Sequence, residues 1–328
     1  MLRRYFRDVF SRFQRTLWRY RRGAATLGWA YNAFRLTKPS GLRGPRFALR
    51  CLWNLEASLH WFAYLKTTTD PGLVHVSADI LQLPHRPHFD YRLRAPQAVN
   101  ILIDHQRLIA THFNRSLLEH LEFGEACPIA EVVGKNGGVH TLVLSQQGRF
   151  LKEGLLSLSL VDGARATVMN LSVTFGERRA GKTALVGGLQ ACATAAPERL
   201  RHATHELHGI QPRLLLLHAL RVLCTQLEVT NIEAVSAENH VFRSNRYRWK
   251  KTVHLSYETL WEMAGGTRRG DGNYDLPVAS PRKPLASYPS KKRSEYKRRF
   301  ELLDRLELHI CAALRSPVRE SRFLTEAA

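Results

Sequence analysis

The most constraining stretch of this chain runs from Lys182 to Gly266, where strand and helix patterns follow one another without long gaps. A strand pattern (TALVGGLQA) comes first, then a short helix, a break at HGIQP, and the strongly apolar helix RLLLLHALRVLCTQLEV. A second strand, NIEAVS, leads into the polar and aromatic run ENHVFRSNRYRWKK. Dense apolar sequence beside dense polar sequence predicts a buried sheet with a functional site at its rim.

The composition describes a folded, strongly cationic protein. Hydrophobic residues make up 44% of the 328 residues, which is enough for a sizeable core and excludes a disordered chain. The formal net charge of +21 predicts an anionic partner or surface. Phosphorylated ligands, nucleic acid and anionic lipid all meet that requirement, and the charge alone does not choose among them.

Cysteine spacing and hydropathy indicate a reduced, cytoplasmic protein. The five cysteines are scattered, and no pair has the C-x-x-C spacing of a metal or redox site. No run of 18 apolar residues is present, so we expect no spanning helix. The basic part of the first 22 residues is too long and too aromatic for a cleaved signal peptide.

Residues 2–22 have the pattern of a basic amphipathic helix. Leu, Tyr, Phe and Val recur at spacings of three and four, and arginines occupy the other side. One interpretation is a helix lying in a membrane interface, which would place the protein on the inner membrane as a peripheral protein. The other is a helix packed on the folded domain with a solvated arginine face.

The predicted fold class is α/β (α+β), with an antiparallel meander and helices. We divide the chain into a basic N-terminal region (1–38), a helical region (39–130) and an α/β domain (131–328). Helices are expected at 47–65 and 98–121, from Pro197 and Pro212, at 257–264 and from Ser290, with a loop over 267–289. Four strands of the meander are expected at 139–145, 150–161, 167–175 and 183–191, and a further strand at 232–236.

Two features of the predicted meander are candidates for chemistry. Glu153 falls inside a strand pattern, where a carboxylate is either at an edge facing solvent or part of a site. Gly187 and Gly188 weaken a strand unless a bulge or a closely bound ligand requires them. Gln190 projects beside this thin part of the strand, and both interpretations stay open.

The break from His208 to Arg213 has the chemistry of a phosphate or pyrophosphate site. Gly209 allows close approach of the backbone, and a helix beginning at Pro212 presents free amides beside Gln211. A simple helix–helix turn is the alternative. No Walker or GxGxxG motif is present, and the His202, His205 and His208 spacing does not fit a zinc site, so we predict no metal.

Polar residues follow the second strand of the central stretch. Asn239, His240 and Tyr247 lie just beyond a strand end, where α/β folds often place a site, and His240 is a candidate base. A hydrogen-bonded loop is the alternative. The basic segment 290–305 carries interleaved aromatic residues and suits nucleic acid, anionic lipid or simple exposure to solvent.

Several segments together resemble the VirK/YbjX family of Gram-negative bacteria, also called DUF535. They run in order as FALRCLWN (47–54), KEGLLSLSL (152–160), VGGLQ (186–190), HATHELHGIQP (202–212), AVSAENHVFR (234–243), YETLWEMAGG (257–266) and YPSKKRSEYKRRFELLD (288–304). The resemblance implies a role in the bacterial envelope: antimicrobial-peptide resistance, lipid A homeostasis and virulence. It supplies no established reaction and no catalytic residues.

The order of elements is also similar to GNAT-type acyltransferases, which hold the pyrophosphate of acyl-CoA at the helix after their fourth strand. This similarity implies acyl transfer from a CoA thioester, with Glu153 or His240 as base and Tyr247 or Tyr257 as acid. The residues expected to bind the acyl-CoA are Gln190, His208, Gly209, Gln211, Arg213 and Asn239. The alternatives are a non-enzymatic adaptor on an anionic phospholipid or lipid A-related surface and, lowest of the three, a nucleic-acid binder.

Overall fold

The computed structural model describes residues 22–36, 42–68, 78–122, 124–146, 150–191, 197–247, 257–279 and 282–315. The chain divides into two compact units, one of residues 1–86 with 94–99 and one of residues 87–93 with 100–328. The amphipathic helix predicted at 2–22 lies outside the described residues except for its last position. In the described ranges, no helix is both long enough and apolar enough to cross a membrane.

The first unit is helical. Its helices are α1 (22–36), α2 (Arg43–Trp53), α3 (Leu55–Thr68) and α4 (Ala78–Leu81). Phe34 of α1 stacks on Phe47 of α2 with ring centroids 4.3 Å apart, and the indole of Trp61 donates to the Ile80 carbonyl at 3.1 Å. The single helix predicted over 47–65 is two helices, because the backbone leaves helical geometry at Asn54.

The second unit combines a sheet with helices. Its described helices and strands are α5 (Ala95–His112, whose first turn belongs to the first unit), α6 (Arg115–Glu122), β1 (Cys127–Val133), β2 (Val139–Ser145), β3 (Leu156–Val161), β4 (Thr167–Arg178), β5 (Gly181–Ala191), α7 (Pro197–Glu206), α8 (Pro212–Gln226), β6 (Asn231–Ala234), α9 (Tyr257–Met263), β7 (Thr267–Arg268), β8 (Tyr274–Leu276) and α10 (Ser290–Arg315). The helix predicted over 98–121 is interrupted because Asn114 caps α6, accepting from the Leu117 amide at 2.9 Å.

In the described residues, eight strands form one sheet in the order β1-β2-β3-β4-β5-β6-β8-β7. Strands β1 to β5 are an antiparallel meander, and β6 joins β5 in parallel after the α7–α8 crossover. The predicted α/β class with an antiparallel meander is confirmed. The meander gains β1, which the sequence analysis missed, and β7 and β8 lie inside the segment predicted as a loop.

The central strand pair β4–β5 is bulged at Gly187. Its register passes from Ser172 opposite Gly188 to Val173 opposite Val186, which leaves Gly187 as the extra residue. The bulge, one of the two interpretations of the glycine pair, is therefore present in the structure.

A tight turn over residues 150–154 packs against this bulge. The amides of Glu153 and Gly154 both donate to the Phe150 carbonyl, at 2.8 and 3.1 Å. The strand predicted from Phe150 is therefore wrong in its first half, and β3 begins only at Leu156. A side chain at Gly187 would overlap the backbone of Glu153, so the glycine is required by close contact between two backbone segments.

Helices cover the sheet with apolar side chains. Helix α8 packs on β3, β4 and β5, and α10 packs on β1 and α8. Helix α5 approaches β4 at Gly176, where a Cβ atom would lie 3.2 Å from Ile101. In α5, the imidazole of His105 stacks on Phe175 and its Nδ1 accepts from the Phe175 amide at 3.1 Å.

Replacing Gly154 by alanine tests the packing of the turn on the bulge. The added methyl group would overlap the backbone of Ser172 and Val173, which no rotamer change relieves. We expect Gly154→Ala to lower the free energy of unfolding by about 1–3 kcal/mol. Gly270→Ala is the control, since nothing lies within 4 Å of its added methyl group. Equal urea midpoints for the two variants would contradict this packing.

Candidate functional site

The bulge on β5 and the turn over residues 150–154 bring a carboxylate and an amide side chain together. Glu153 is only 2% exposed, and the Gln190 Nε2 donates to its Oε2 at 2.9 Å. Gln190 lies three residues beyond the bulged Gly187 and is partly exposed, so it is the member of the pair nearer to solvent. The structure therefore brings together two residues that are 37 positions apart in the sequence.

A tyrosine hydroxyl meets the same point of the strand. Tyr257, the first residue of α9, is buried, and its hydroxyl accepts from the Leu189 amide at 3.4 Å. A Cβ atom at Gly188 would lie 3.4 Å from this hydroxyl and would overlap the Glu153 carboxylate. The absence of a side chain at Gly188 thus makes room for both groups.

The environment of Tyr257 keeps its hydroxyl protonated. Burial raises the pKa of Tyr257, and the nearby Glu153 charge raises it further. Both effects disfavour the phenolate, because it would be a second negative charge in a site shielded from water. At neutral pH, the Tyr257 hydroxyl is therefore protonated.

His240 lies behind Tyr257, with ring centroids 5.5 Å apart. Its Nδ1 accepts from the Phe242 amide at 3.3 Å. Burial lowers the pKa of His240 to about 4, against the opposing effect of a hydrogen bond to the Gly187 backbone. His240 is therefore neutral at pH 7, and its contacts brace the bulge and Tyr257.

Tyr247 is placed near the turn by a cation. The Nζ of Lys152 lies 5.0 Å from the Tyr247 ring centroid and 5.7 Å from that of Phe242. Since Lys152 immediately precedes Glu153, Tyr247 lies at the edge of the site. The phenol that directly contacts the bulged strand is that of Tyr257.

The turn that carries Glu153 is held in place by residues 88–89, which belong to a segment predicted only as a loop. The His88 Nδ1 bonds the Leu151 carbonyl at 3.1 Å, its Nε2 bonds the Thr174 hydroxyl at 2.9 Å, and the Phe89 amide donates to the Lys152 carbonyl. Burial lowers the pKa of His88 to about 4. The sequence signal for this support was weak, since His88 lies in a proline-rich run without periodicity.

Asn239 belongs to a separate polar network behind the loop after β6. Its Nδ2 donates to Asn273 Oδ1 and to the Asp271 carbonyl, both at 3.0 Å. The Asn273 Nδ2 in turn donates to the carboxylates of Glu233 and Asp90, at 3.0 and 3.1 Å. These contacts match the hydrogen-bonded loop given as the alternative for this segment.

Arginines neutralise the two buried carboxylates of this network. Arg92 makes a charged pair with Asp90, and Arg269 lies 3.3 Å from the other carboxylate, that of Glu233. Buried carboxylates are retained only where such partners compensate their loss of water. This network was not predicted from the sequence, although an acidic residue inside the apolar strand NIEAVS was a usable signal.

The entrance to α8 is electropositive. His208 and Gly209 both adopt left-handed backbone conformations, with φ of 54° and 81°. Burial lowers the pKa of His208, and the positive charges of Arg298, Lys135, Arg299 and Arg305 lower it further. A concentration of cations beside a helix N-terminus fits a phosphate or pyrophosphate group.

The side chains at this entrance already have partners. The Arg299 Nε donates to the His208 carbonyl at 2.6 Å, and Arg213 donates to the Gln211 side chain at 2.6 Å. These hydrogen bonds link the helix tip to α10 and to itself, whereas Gln190 bonds Glu153. Over the described ranges, no group of three His, Cys, Asp or Glu side chains is arranged to hold a metal ion.

The pH dependence of stability tests the buried, neutral state of His240. Since its folded pKa lies below the unfolded value, the unfolded chain binds more protons between pH 6.5 and 4, and stability falls as pH drops through that window. Asparagine at 240 retains a short acceptor for Phe242 but does not titrate. Between pH 7 and pH 5, we expect the free energy of unfolding of His240→Asn to fall by about 1–2 kcal/mol less than that of the wild type, as measured by urea unfolding. Parallel losses in both proteins would contradict this assignment.

Comparisons with known proteins identify relatives over most of the chain. The profile of the family described as "Protein of unknown function (DUF535)" matches residues 42–312. The Escherichia coli K12 protein "Uncharacterized protein YbjX" is 30% identical over 281 residues, covering 82% of this chain and 83% of the relative. An "Uncharacterized protein" of Haemophilus influenzae Rd is 25% identical over 224 residues, covering 67% of this chain and 72% of the relative.

One solved structure, a "cAMP-binding acyltransferase from Mycobacterium smegmatis", matches with a TM-score of 0.28 and 12% identity. That alignment covers 71% of this chain and 65% of the mycobacterial chain. Family membership rests instead on the profile match and on the similarity to the E. coli protein. The chain belongs to the DUF535 family, which includes YbjX.

Proposed function

We propose that this protein transfers an acyl group from acyl-CoA to an amine. The observation that carries the proposal is the meeting of Glu153, Tyr257 and the Leu189 amide at the bulge of β5. A bulged strand frees backbone amides from its neighbour, and here the Leu189 amide donates to the Tyr257 hydroxyl, which would face the carbonyl group of a thioester. The carboxylate and phenol are of the types needed for proton transfer on either side of that carbonyl.

The proposed reaction assigns one role to each group. Glu153 accepts the proton of the attacking amine, whose nitrogen forms a bond to the carbonyl carbon of the thioester. The carbon–sulfur bond breaks, and Tyr257 donates its proton to the sulfur that leaves. The Tyr257 hydroxyl supports this role by its position, because it lies beside Gly188 together with the Glu153 carboxylate. His240 and Tyr247 are assigned to positioning.

The acyl-CoA itself would be held at the carboxyl end of β5. Gln190 lies beside the thioester position, and the α8 entrance, formed by His208, Gly209, Gln211 and Arg213, would take the pyrophosphate. The surrounding arginines of α10 support this assignment through their charge. Asn239 would act at a distance, by holding the loop between β6 and α9.

We further propose that the protein works at the cytoplasmic face of the inner membrane, in envelope or lipid A homeostasis and antimicrobial-peptide resistance. The net charge of +21 supports an anionic phospholipid or lipid A-related surface as partner. In this proposal the protein is peripheral and its small-molecule substrate is a thioester. Nucleic acid is less well supported, because Tyr296 of the basic helix stacks on Tyr288 at 3.6 Å and on the Arg299 guanidinium rather than standing free.

A non-enzymatic membrane adaptor is the second candidate. The observation in its favour is that Glu153, Tyr257 and His240 are all buried, as expected of groups that only stabilise the bulge. The two candidates differ in one measurable respect. An adaptor retains its cellular function when Glu153 is replaced by glutamine in a folded protein, and an acyltransferase does not.

Removing the Tyr257 hydroxyl tests the enzymatic proposal. We expect Tyr257→Phe to lower kcat for CoA-thiol release by about 100-fold or more with acetyl-CoA and an amine acceptor, because the proton donor is lost. CoA binding in calorimetry should be unchanged. Tyr274→Phe is the matched control, since Tyr274 is also a buried tyrosine of the second unit. A folded wild-type protein that gives no heat with millimolar CoA, or equal rates in both variants, would remove this proposal.

A further inference from the structure

Helix α2 is apolar on two faces. Its inner face is fully used within the first unit, where Phe47 stacks on Phe34 and is buried together with Gly44 and Cys51. Its outer face should then be polar, as in ordinary surface helices. Instead, Leu49 is 65% exposed and Trp53 86% exposed.

The exposed apolar residues form one continuous stripe. The stripe consists of Leu49, Leu52 and Trp53 in α2 and of Leu42, the residue just before the helix. Their spacings of three, four and seven place them on one side of the helix. Single exposed apolar residues are ordinary, whereas a contiguous stripe that includes tryptophan marks a surface that is covered in use. We call this stripe the α2 outer face.

A row of arginines borders the α2 outer face. Arg43, Arg46 and Arg50 follow one another at spacings of three and four, and the helix contains no acidic residue. Long arginine side chains can keep their guanidinium groups among phosphates while neighbouring Leu and Trp enter the apolar layer. A protein partner would satisfy the apolar stripe, but the arginine row at its border calls for an anionic surface as well.

We propose that the α2 outer face is the surface through which this protein docks on an anionic phospholipid bilayer. This inference rests on the proposed placement at the inner membrane and names the element responsible. Helix α2 would lie parallel to the bilayer plane, with Leu49 and Trp53 inserted between lipids and the arginine row at the phosphate level. Docking therefore has both an apolar and an electrostatic component.

Vesicle partitioning of the full chain tests this docking surface. The comparison uses vesicles of phosphatidylglycerol mixed with phosphatidylcholine, and vesicles of phosphatidylcholine alone. We expect Leu49→Glu to weaken partitioning into the anionic vesicles by about tenfold or more, because it replaces an apolar side chain that would enter the lipid with a charge that the lipid phosphates repel. The matched control is Leu308→Glu, at a leucine of α10 that is 67% exposed, and it should change partitioning less than twofold on the same scale.

Each other outcome overturns the inference in a different way. If the wild-type protein binds neither vesicle type, the proposed membrane placement itself is refuted. Wild-type binding that Leu49→Glu leaves intact refutes the α2 outer face while the membrane placement stands. A change in sedimentation of Leu49→Glu from dimer to monomer without altered partitioning would assign the face to a second copy of the chain. A circular-dichroism spectrum and urea midpoint equal to those of the wild type show that Leu49→Glu is folded, and CoA binding measured in parallel separates this test from that of the acyltransferase.

Discussion

The close backbone contact at Gly187 is the constraint on which the second unit depends. The extra residue on β5 creates a bulge, and the turn over 150–154 packs so tightly on it that neither Gly187 nor Gly154 can carry a side chain. This contact turns the Glu153 carboxylate toward Gln190 and Tyr257. Without the bulge, β4 and β5 would pair continuously and leave no backbone amides for another group.

Two sets of contacts hold this arrangement, one from a segment that precedes the meander and one from a segment that follows it. The segment 87–93 fixes the turn through His88, whereas His240 and the loop after β6 fix the bulge and Tyr257. Burial keeps both histidines neutral at physiological pH. The same loop also carries Asn239, whose amide ties it to the buried carboxylates of Asp90 and Glu233 through Asn273. The site is therefore positioned by polar interactions between distant segments of the chain, which must all form together.

Local patterns in the sequence predicted much of this fold. Helix starts at Pro197, Pro212 and Ser290 were recognisable because proline and serine are common where helices begin, and the apolar runs of β2 and β4 between turn residues indicated strands. Errors arose where tertiary contacts override local preference. Residues 150–155 have a strand-like composition, yet the contact with β5 makes them turn, and the two-residue β7 is too short to leave a pattern. Glu153 and Gln190 were each singled out as candidate site residues, but their contact was not predicted. His88, Asp90 and Asn273 act over separations that single-sequence periodicity does not encode.

The direct test of the central claim is a crystal structure of the protein with bound CoA. The account predicts that the sulfur lies beside Gly188, within hydrogen-bond reach of the Tyr257 hydroxyl, with the pyrophosphate at the start of α8. Glu153 should lie near the sulfur on the same side of β5 as Tyr257. CoA bound at a different surface, with Tyr257 and Glu153 still enclosed by protein side chains, would contradict the account and leave the bulge as a purely structural feature.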